Sequence, residues 1–409
     1  VRRRRLFLAG LITLSAMLAA CGQTQVATPR PAGAPINAGA VLSLTGSQSL
    51  GGQMAKEGYL FCQNWINAKG GILVRGVGHP LNIDMLDDES RPSIAAAETE
   101  QLISQNHPVL FGATNDATAA RAAQVAEQHQ IPLISSGAAS DGIFGNHYHY
   151  VFSVLAPAST ELQGVIDMAL RLNPRPQSVA LLFSSDSLSA EVAYATAAYA
   201  QAKGLNVVYG TSYPSGVNDL YTQLGSAQQT GPDILLAVGH PADSVRTVVQ
   251  ARRLDFQPKL LAFNEGPGTG TFVADLHSVA NYSFGTTQWT PAVRNRQSYF
   301  LDSFHYALAY QAQFGHLPDA NAAAATAACL TAEVAIEEAN STVPRWIRDA
   351  LGVVDLRTFF GEIKFDERGV NIAKPVYVQQ VQAGQTVLVW PANVASAHPR
   401  YPDPGWGKH

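Results

Sequence analysis

Short apolar runs alternate with stretches of helical periodicity along most of this chain. Residues 41–44 form the first apolar run, and Leu81, Ile83 and Met85 alternate with polar positions as a strand does. Between them Met54, Gly58, Phe61, Cys62, Trp65 and Ile66 recur at helical spacing, and Gly70-Gly71 supplies a stop. An alanine-rich helix is predicted from about Ser93, a strand over 109–111, a helix over 117–129 and a strand over 131–134. The alternation restarts after Pro157, with strands over 179–183, 207–209, 234–238 and 260–263 separated by helical patterns. This spacing predicts parallel sheets covered on both faces, and two such runs predict an α/β protein of two doubly wound lobes. Further helical patterns cover 294–314 and 322–339, and residues 361–365, 376–381 and 387–390 read as strands. The Gln, Thr, Pro, Ala and Gly of 21–37 predict a flexible tether, and 392–409 a loose tail.

The amino terminus changes the picture. Arg2 to Arg5 precede an apolar run over 6–18 and then Ala19-Ala20-Cys21, the order of a secretory signal. The run is too short to cross a hydrocarbon core of roughly 30 Å as a helix. Leu18-Ala19-Ala20-Cys21 resembles the bacterial lipobox, which implies a signal over 1–20 and acylation of Cys21. The rest of the chain is then expected outside the cytoplasmic membrane, held there by lipid.

Losing the four signal arginines takes the formal charge from -4 to -8. Such a balance argues against nucleic acid as a partner, which needs clustered Lys and Arg to neutralise phosphates. Cys62 and Cys329 lie in amphipathic and alanine-rich stretches, consistent with buried thiols. An exported location permits a disulfide between them, but spacing does not decide it. Dispersed histidines and two remote cysteines make no metal site, and no cofactor is expected. The glycine-rich Gly266-Pro267-Gly268-Thr269-Gly270 lacks dinucleotide-loop spacing and has no P-loop lysine, and no Gly-x-Ser-x-Gly elbow is present. An enzyme is not expected.

Leu44-Thr45-Gly46, Gly51-Gly52, Glu57-Gly58 and Ile66-Asn67-Ala68-Lys69-Gly70-Gly71-Ile72 together are similar to the start of leucine/isoleucine/valine-binding proteins. Those are the type I periplasmic solute-binding components of ABC importers. Gly112, Ile131-Pro132-Leu133-Ile134-Ser135, Asp219-Leu220 with Leu224, and Gly361-Glu362-Ile363-Lys364-Phe365-Asp366 with Gly369 extend the resemblance over 38–391. It implies two lobes joined by three crossovers near residues 155, 287 and 360, with a small-molecule ligand between them. The first lobe is then 38–155 plus 288–360, and the second 156–287 plus 361–391. The implied protein is a monomer whose partners are permease and ATPase subunits. A ligand-sensing lipoprotein acting through a membrane partner is the alternative.

Independently of family, ligands in open α/β sheets bind outside the carboxyl ends of the strands. In the resembling family a serine after the third strand holds an amino acid's α-carboxylate, and alignment puts Asp116 there. Asp116 either lines the cleft or caps its helix, and a one-residue slip would make Asn115 the contact. Two carboxylates about 4 Å apart repel by roughly 4 kcal/mol at an effective dielectric of 20, which disfavours an ordinary amino acid if Asp116 lines the cleft. Glu265 matches the acid that takes the ligand's ammonium. Gly137, Ala138 and Ala139 fill the next strip, which lacks a hydroxyl unless Ser135, Ser136 or Ser140 supplies one. Leu188 and His240 replace two aromatics of the second lobe, and Gly51 one of the first. Trp289, near a crossover, is either a stacking wall or part of the core or hinge. The implied ligand is an amino acid or an amide-like molecule with an amino group.

Overall fold

The computed structural model describes residues 32–294 and 299–408. The signal, Cys21, most of the tether and part of the helical pattern around 294–314 lie outside them. The first lobe begins with β1 (Ile36–Leu42), α1 (Ser49–Ala68), a hairpin of β2 (Ile72–Val74) and β3 (Val77–His79), and β4 (Leu81–Asp87). It continues with α2 (Pro92–Ser104), β5 (Leu110–Gly112), α3 (Asp116–His129), β6 (Leu133–Ser135), α4 (Asp141–Phe144) and β7 (Val151–Ser153). The chain then crosses to α5 (Gln163–Ala169), β8 (Ser178–Ser184), α6 (Ser187–Ala202), β9 (Asn206–Tyr213), α7 (Tyr221–Gln229), β10 (Ile234–Val238), α8 (Pro241–Arg253), β11 (Leu260–Phe263), α9 (Gly270–Leu276) and β12 (Phe284–Thr287). It returns for α10 (Ser303–Phe314), α11 (Ala320–Ala339), α12 (Pro344–Leu351), β13 (Asp355–Thr358) and β14 (Gly361–Lys364), and ends in the second lobe with β15 (Tyr377–Gln382) and β16 (Gln385–Trp390).

The first sheet runs β4-β1-β5-β6-β7, all parallel. The second runs β16-β15-β12-β11-β10-β8-β9, parallel except where β15 joins β12 and β16. Both are the doubly wound sheets predicted by the strand–helix alternation. Their strands are nearly continuous apolar runs, such as the fully buried Ile234–Val238, because helices cover both faces.

Helix α11 is buried along almost its whole length, which its alanines permit. Their small side chains let α1 approach so closely that a Cβ at Gly58 would lie 2.2 Å from the carbonyl oxygen of Ala322. Thr326 Oγ1 donates to the Gly58 carbonyl at 2.9 Å, and the Cys62–Cys329 disulfide fastens the same helix pair. Trp289 is buried in this core, stacked edge-on against Tyr306 and Phe359, with Nε1 donating to Ser303 Oγ. Of its two expected roles, the structure gives it the core one.

Three expectations need correction. Residues 361–371 belong to the first lobe: β14 pairs with β13, and Phe359, Phe360, Ile363 and Phe365 are buried in the first core. Ser153 N also donates to the Gly369 carbonyl, and Ser153 bridges in parallel to Val370. The third crossing therefore falls around 373–376 rather than at 360, because the apolar side chains after Phe360 are committed to the first core. The tail is not loose. Tyr401 packs on the second core, Asp403 N donates to the Lys259 carbonyl and Trp406 Nε1 to that of Phe256. The tether gives way to order before Asn37, since Ala32 N and Gly33 N both donate to the Gly78 carbonyl and β1 starts at Ile36.

The three crossings are stitched to one another. Ala156 N donates to Gln288 Oε1 at 2.8 Å. The ammonium of buried Lys374 donates to the carbonyls of Gln288 and Phe360.

Candidate functional site

Loops at the carboxyl ends of β5, β6, β8, β10 and β11 carry residues 113–116, 136–140, 185–187, 239–240 and 264–265, on two lobes that meet at the crossings. In the first lobe the loop after β5 runs into α3. Asn115 is the N-cap of that helix, its Oδ1 accepting from Ala117 N at 3.0 Å and Thr118 N at 3.1 Å. Asp116 is therefore freed from capping. Its Oδ1 reaches across to the loop after β6 and accepts from Ala139 N at 2.9 Å and Ser140 N at 2.7 Å. Burial pushes the Asp116 carboxyl up to about 6, the two N–H donors working against that rise and the charge of Glu191 adding to it.

Ser135 Oγ accepts from Gly137 N at 3.2 Å and Ala138 N at 2.9 Å. Every backbone N–H from 137 to 140 is thus satisfied by the first lobe's own side chains. Ser136 turns inward to Tyr59, their hydroxyls 3.0 Å apart in the core, and Ala138 is buried. Neither lines the cleft, which corrects their placement among the contacts. Gly137 is held against the loop after β5: a Cβ there would lie 2.3 Å from the Ala113 carbonyl oxygen. Gly51 opens α1, and a Cβ there would meet Thr114 and, further off, Asn321.

In the second lobe Asp186 caps α6, its Oδ1 accepting from Ser189 N at 2.9 Å. Its Oδ2 lies 3.4 Å from His240 Nε2. That bond, Ser189 and Ser184 hold the Asp186 carboxyl well below the usual range despite partial burial. The same partnership raises His240, against burial. Leu188 is partly buried against the second core. Asn264 Oδ1 accepts from Gly239 N at 2.8 Å, and Ser244 Oγ donates to the Glu265 carbonyl, so the loop after β10 and the start of α8 set where Glu265 stands.

The Glu265 side chain is exposed and makes no hydrogen bond or ion pair with a described residue. Its carboxyl is pushed up to about 7. Desolvation by the surrounding protein leads, His240 opposes it, and the charges of Glu161, Asp186 and Asp243 add to it. Behind it Glu161 accepts from Thr286 Oγ1 at 2.6 Å. Burial raises Glu161, and Lys374 nearby partly offsets this.

Glu161, Asp186, Asp243 and Glu191 are site neighbours that the sequence reading missed. Asp186, just ahead of a helix, carried the pattern of an N-cap, but nothing in the sequence ties it to His240, more than fifty residues on. Glu191 joins the lobes, accepting from Ser140 Oγ at 2.7 Å and from Asp141 N. Asp141 Oδ2 in turn accepts from Ser159 N at 2.9 Å. Among the described residues no three His, Cys, Asp or Glu side chains are grouped to hold a metal ion. A cavity lined by Pro291, Asp302, Phe304, Asn393 and Ser396 shares no residue with this cleft.

Two doubly wound lobes, joined by three crossings and facing each other through polar loops, define a class of hinged solute-binding proteins. The periplasmic binding protein family matches residues 35–386, and the chain belongs to it. This is a family that binds solutes and does not catalyse. The chain is 26% identical over 397 residues to Leu/Ile/Val-binding protein homolog 7 of Brucella abortus (strain 2308), covering 91% of this chain and 95% of that protein. In fold it resembles the branched-chain amino acid transporter substrate-binding protein LivJ of Streptococcus pneumoniae, solved with isoleucine, at a TM-score of 0.72 and 20% identity over 87% of this chain and all of that one. A solute-binding protein of R. palustris solved with benzoate gives a TM-score of 0.73 at 15% identity, over 89% of this chain and 98% of the other.

Proposed function

We propose that this chain is an extracytoplasmic solute-binding protein, anchored by lipid on Cys21, that delivers a small polar ligand to an ABC importer. The ligand is an amino acid or an amide-like molecule carrying an amino group, held between the lobes. One observation carries this reading. The unpartnered carboxylate of Glu265 stands at the carboxyl end of β11, beside the crossings, where closure of a hinge brings the first lobe over it. A carboxylate so placed suits a charge-assisted bond to an ammonium or amide N–H. Family membership and the named relatives support transport rather than chemistry on the solute.

The test is a thermal-shift screen of the purified protein with amino acids, short amides, amines, aromatic acids and sugars, followed by titration of every hit. Saturation at a hundred times the dissociation constant adds about 2.7 kcal/mol of stability, enough to move a melting point by several degrees. Glu265→Gln is expected to weaken the best ligand at least tenfold. Unchanged affinity in that variant, or hits confined to sugars or amine-free acids, would refute the reading.

A further inference from the structure

On the first-lobe loop after β6, the backbone donors that an anion could use are already taken by the chain's own side chains. Residues 137 and 138 donate to Ser135 Oγ, and 139 and 140 to Asp116 Oδ1. In the first turn of α3, Ala117 N and Thr118 N donate to Asn115 Oδ1. On the neighbouring loop Ser43 N donates to Thr114 Oγ1, and Leu44 N and Thr45 N to Asp87 Oδ1. To use the amides of 139 and 140, a ligand carboxylate would have to displace Asp116 from two short bonds and then remain beside it.

Charge argues the same way. The charges that act most on Glu265 are those of His240, Glu161, Asp186 and Asp243, one weak base among three acids. His240 is engaged with Asp186, and Arg246 with Asp243. Lys374 is turned into the crossings, its ammonium on backbone carbonyls. Among the described residues no Lys or Arg is paired with Asp116 or Glu265.

We infer that the ligand is a small primary amine without a carboxylate: Asp116 fills, from within the chain, the donors that a ligand carboxylate would need, and Glu265 receives the ammonium. The inference rests on the proposed role of Glu265 as the acceptor of an amino group, and replaces the amino acid of that reading with an amine lacking the carboxylate. The second charge that an amino acid would bring is already supplied by the protein. The ligand then offsets part of the negative charge of the cleft, and binds better as pH rises. Glu265 ionises more fully, and His240 sheds any positive charge that competes with the ammonium.

Matched pairs test this: leucine against 3-methylbutylamine, phenylalanine against 2-phenylethylamine, and ornithine against putrescine, each titrated calorimetrically at pH 6 and pH 8. The amine of at least one pair is expected to bind tenfold or more tightly than its amino acid, and more tightly at pH 8. Asp116→Ser, which releases the amides of 139 and 140, is expected to shift the ratio tenfold or more toward the amino acid. Asp116→Asn, nearly isosteric, is expected to move it in the same direction, and stands in should the serine variant fail to fold. Amino acids binding more tightly than their amines, with Glu265→Gln weakening them, would overturn this inference and leave the proposed role of Glu265 standing. Binding of neither member of any pair would overturn this inference, and the wider screen then decides the proposed role of Glu265 on its own.

Discussion

Asp116→Asn removes a charge while keeping a shape. The amide retains an oxygen where Asp116 Oδ1 accepts from Ala139 N and Ser140 N. In the folded protein burial holds the carboxyl near 6, against about 3.9 for an unfolded aspartate. A folded value raised above the unfolded one means that the fold binds the proton more tightly. The resulting stability is fully present below about pH 4 and is lost as pH climbs through 6. At about 1.4 kcal/mol per unit, ionising Asp116 costs the fold at most ~3 kcal/mol at pH 8, and about half of that once water in the cleft screens the charge. The variant carries no such cost. Guanidinium unfolding without ligand at pH 4, 5, 6 and 8 gives the comparison, and groups such as Glu265 and Glu191 that titrate in both proteins largely cancel in the difference. The variant is expected to match the parent within about 0.5 kcal/mol at pH 4 and to exceed it by about 1–2 kcal/mol at pH 8. A variant less stable than the parent at pH 8, or a difference that stays flat from pH 5 to 8, would refute the reasoning. Asp116 would then be an ionised, well-solvated acceptor whose two bonds outweigh its burial.

Other expectations follow from the core and the crossings. Reducing Cys62–Cys329, or replacing both cysteines with serine, frees a loop of 267 residues in the unfolded chain. The expected loss is about 2–5 kcal/mol, and melting curves indifferent to reductant would show that the bond does not form in solution. Lys374→Met strips Glu161 of its cationic neighbour and the Gln288 and Phe360 carbonyls of their donor. It is expected to cost about 3–5 kcal/mol, and combining it with Glu161→Gln should cost less than the sum; strict additivity would show the two groups to be uncoupled. Glu191→Ala deletes the bonds to Ser140 and Asp141 that join the lobes, worth about 1–3 kcal/mol together. Small-angle scattering of the empty variant is expected to show a larger radius of gyration than the parent, and an equal radius would remove Glu191 from control of closure.

The second lobe was legible because its strands are short, wholly apolar and separated by helices of ordinary length. The run over 234–238 needs no partner to be recognised as a buried strand. Assignment of 361–365 to a lobe was not legible. Gly361–Lys364 looks like a strand wherever it is placed, and only the burial of Phe359, Phe360 and Phe365 beside the α1–α11 pair decides its lobe. The tail misled for a related reason: Pro, Ala and Gly suggest looseness, while Tyr401 and Trp406 anchor it through contacts more than a hundred residues away in sequence.

In the candidate site, the position of Glu265 after a strand was readable, its expected role came from the resemblance, and its lack of a partner among the described residues was not legible. For Asp116 the sequence allowed a cap or a cleft residue. The structure does something else, giving the cap to Asn115 and sending Asp116 to the 139–140 amides. Ser136 and Ala138 sit on the same loop as Ala139 yet face inward, since neighbours in a tight loop project to opposite sides.

By itself the sequence determined the two-lobed α/β architecture, because hydrophobic periodicity is a local property and burial on both sheet faces leaves a local signature. It also determined the inventory of acids at strand ends. Tertiary structure alone decided which backbone donors those acids consume, which acid is left unpaired, where the chain crosses for the third time, and that Cys62 meets Cys329. Hydrogen bonds and ion pairs act over about 3 Å of space, and Asp116 reaches Ser140 across twenty-four residues of chain that no periodicity connects.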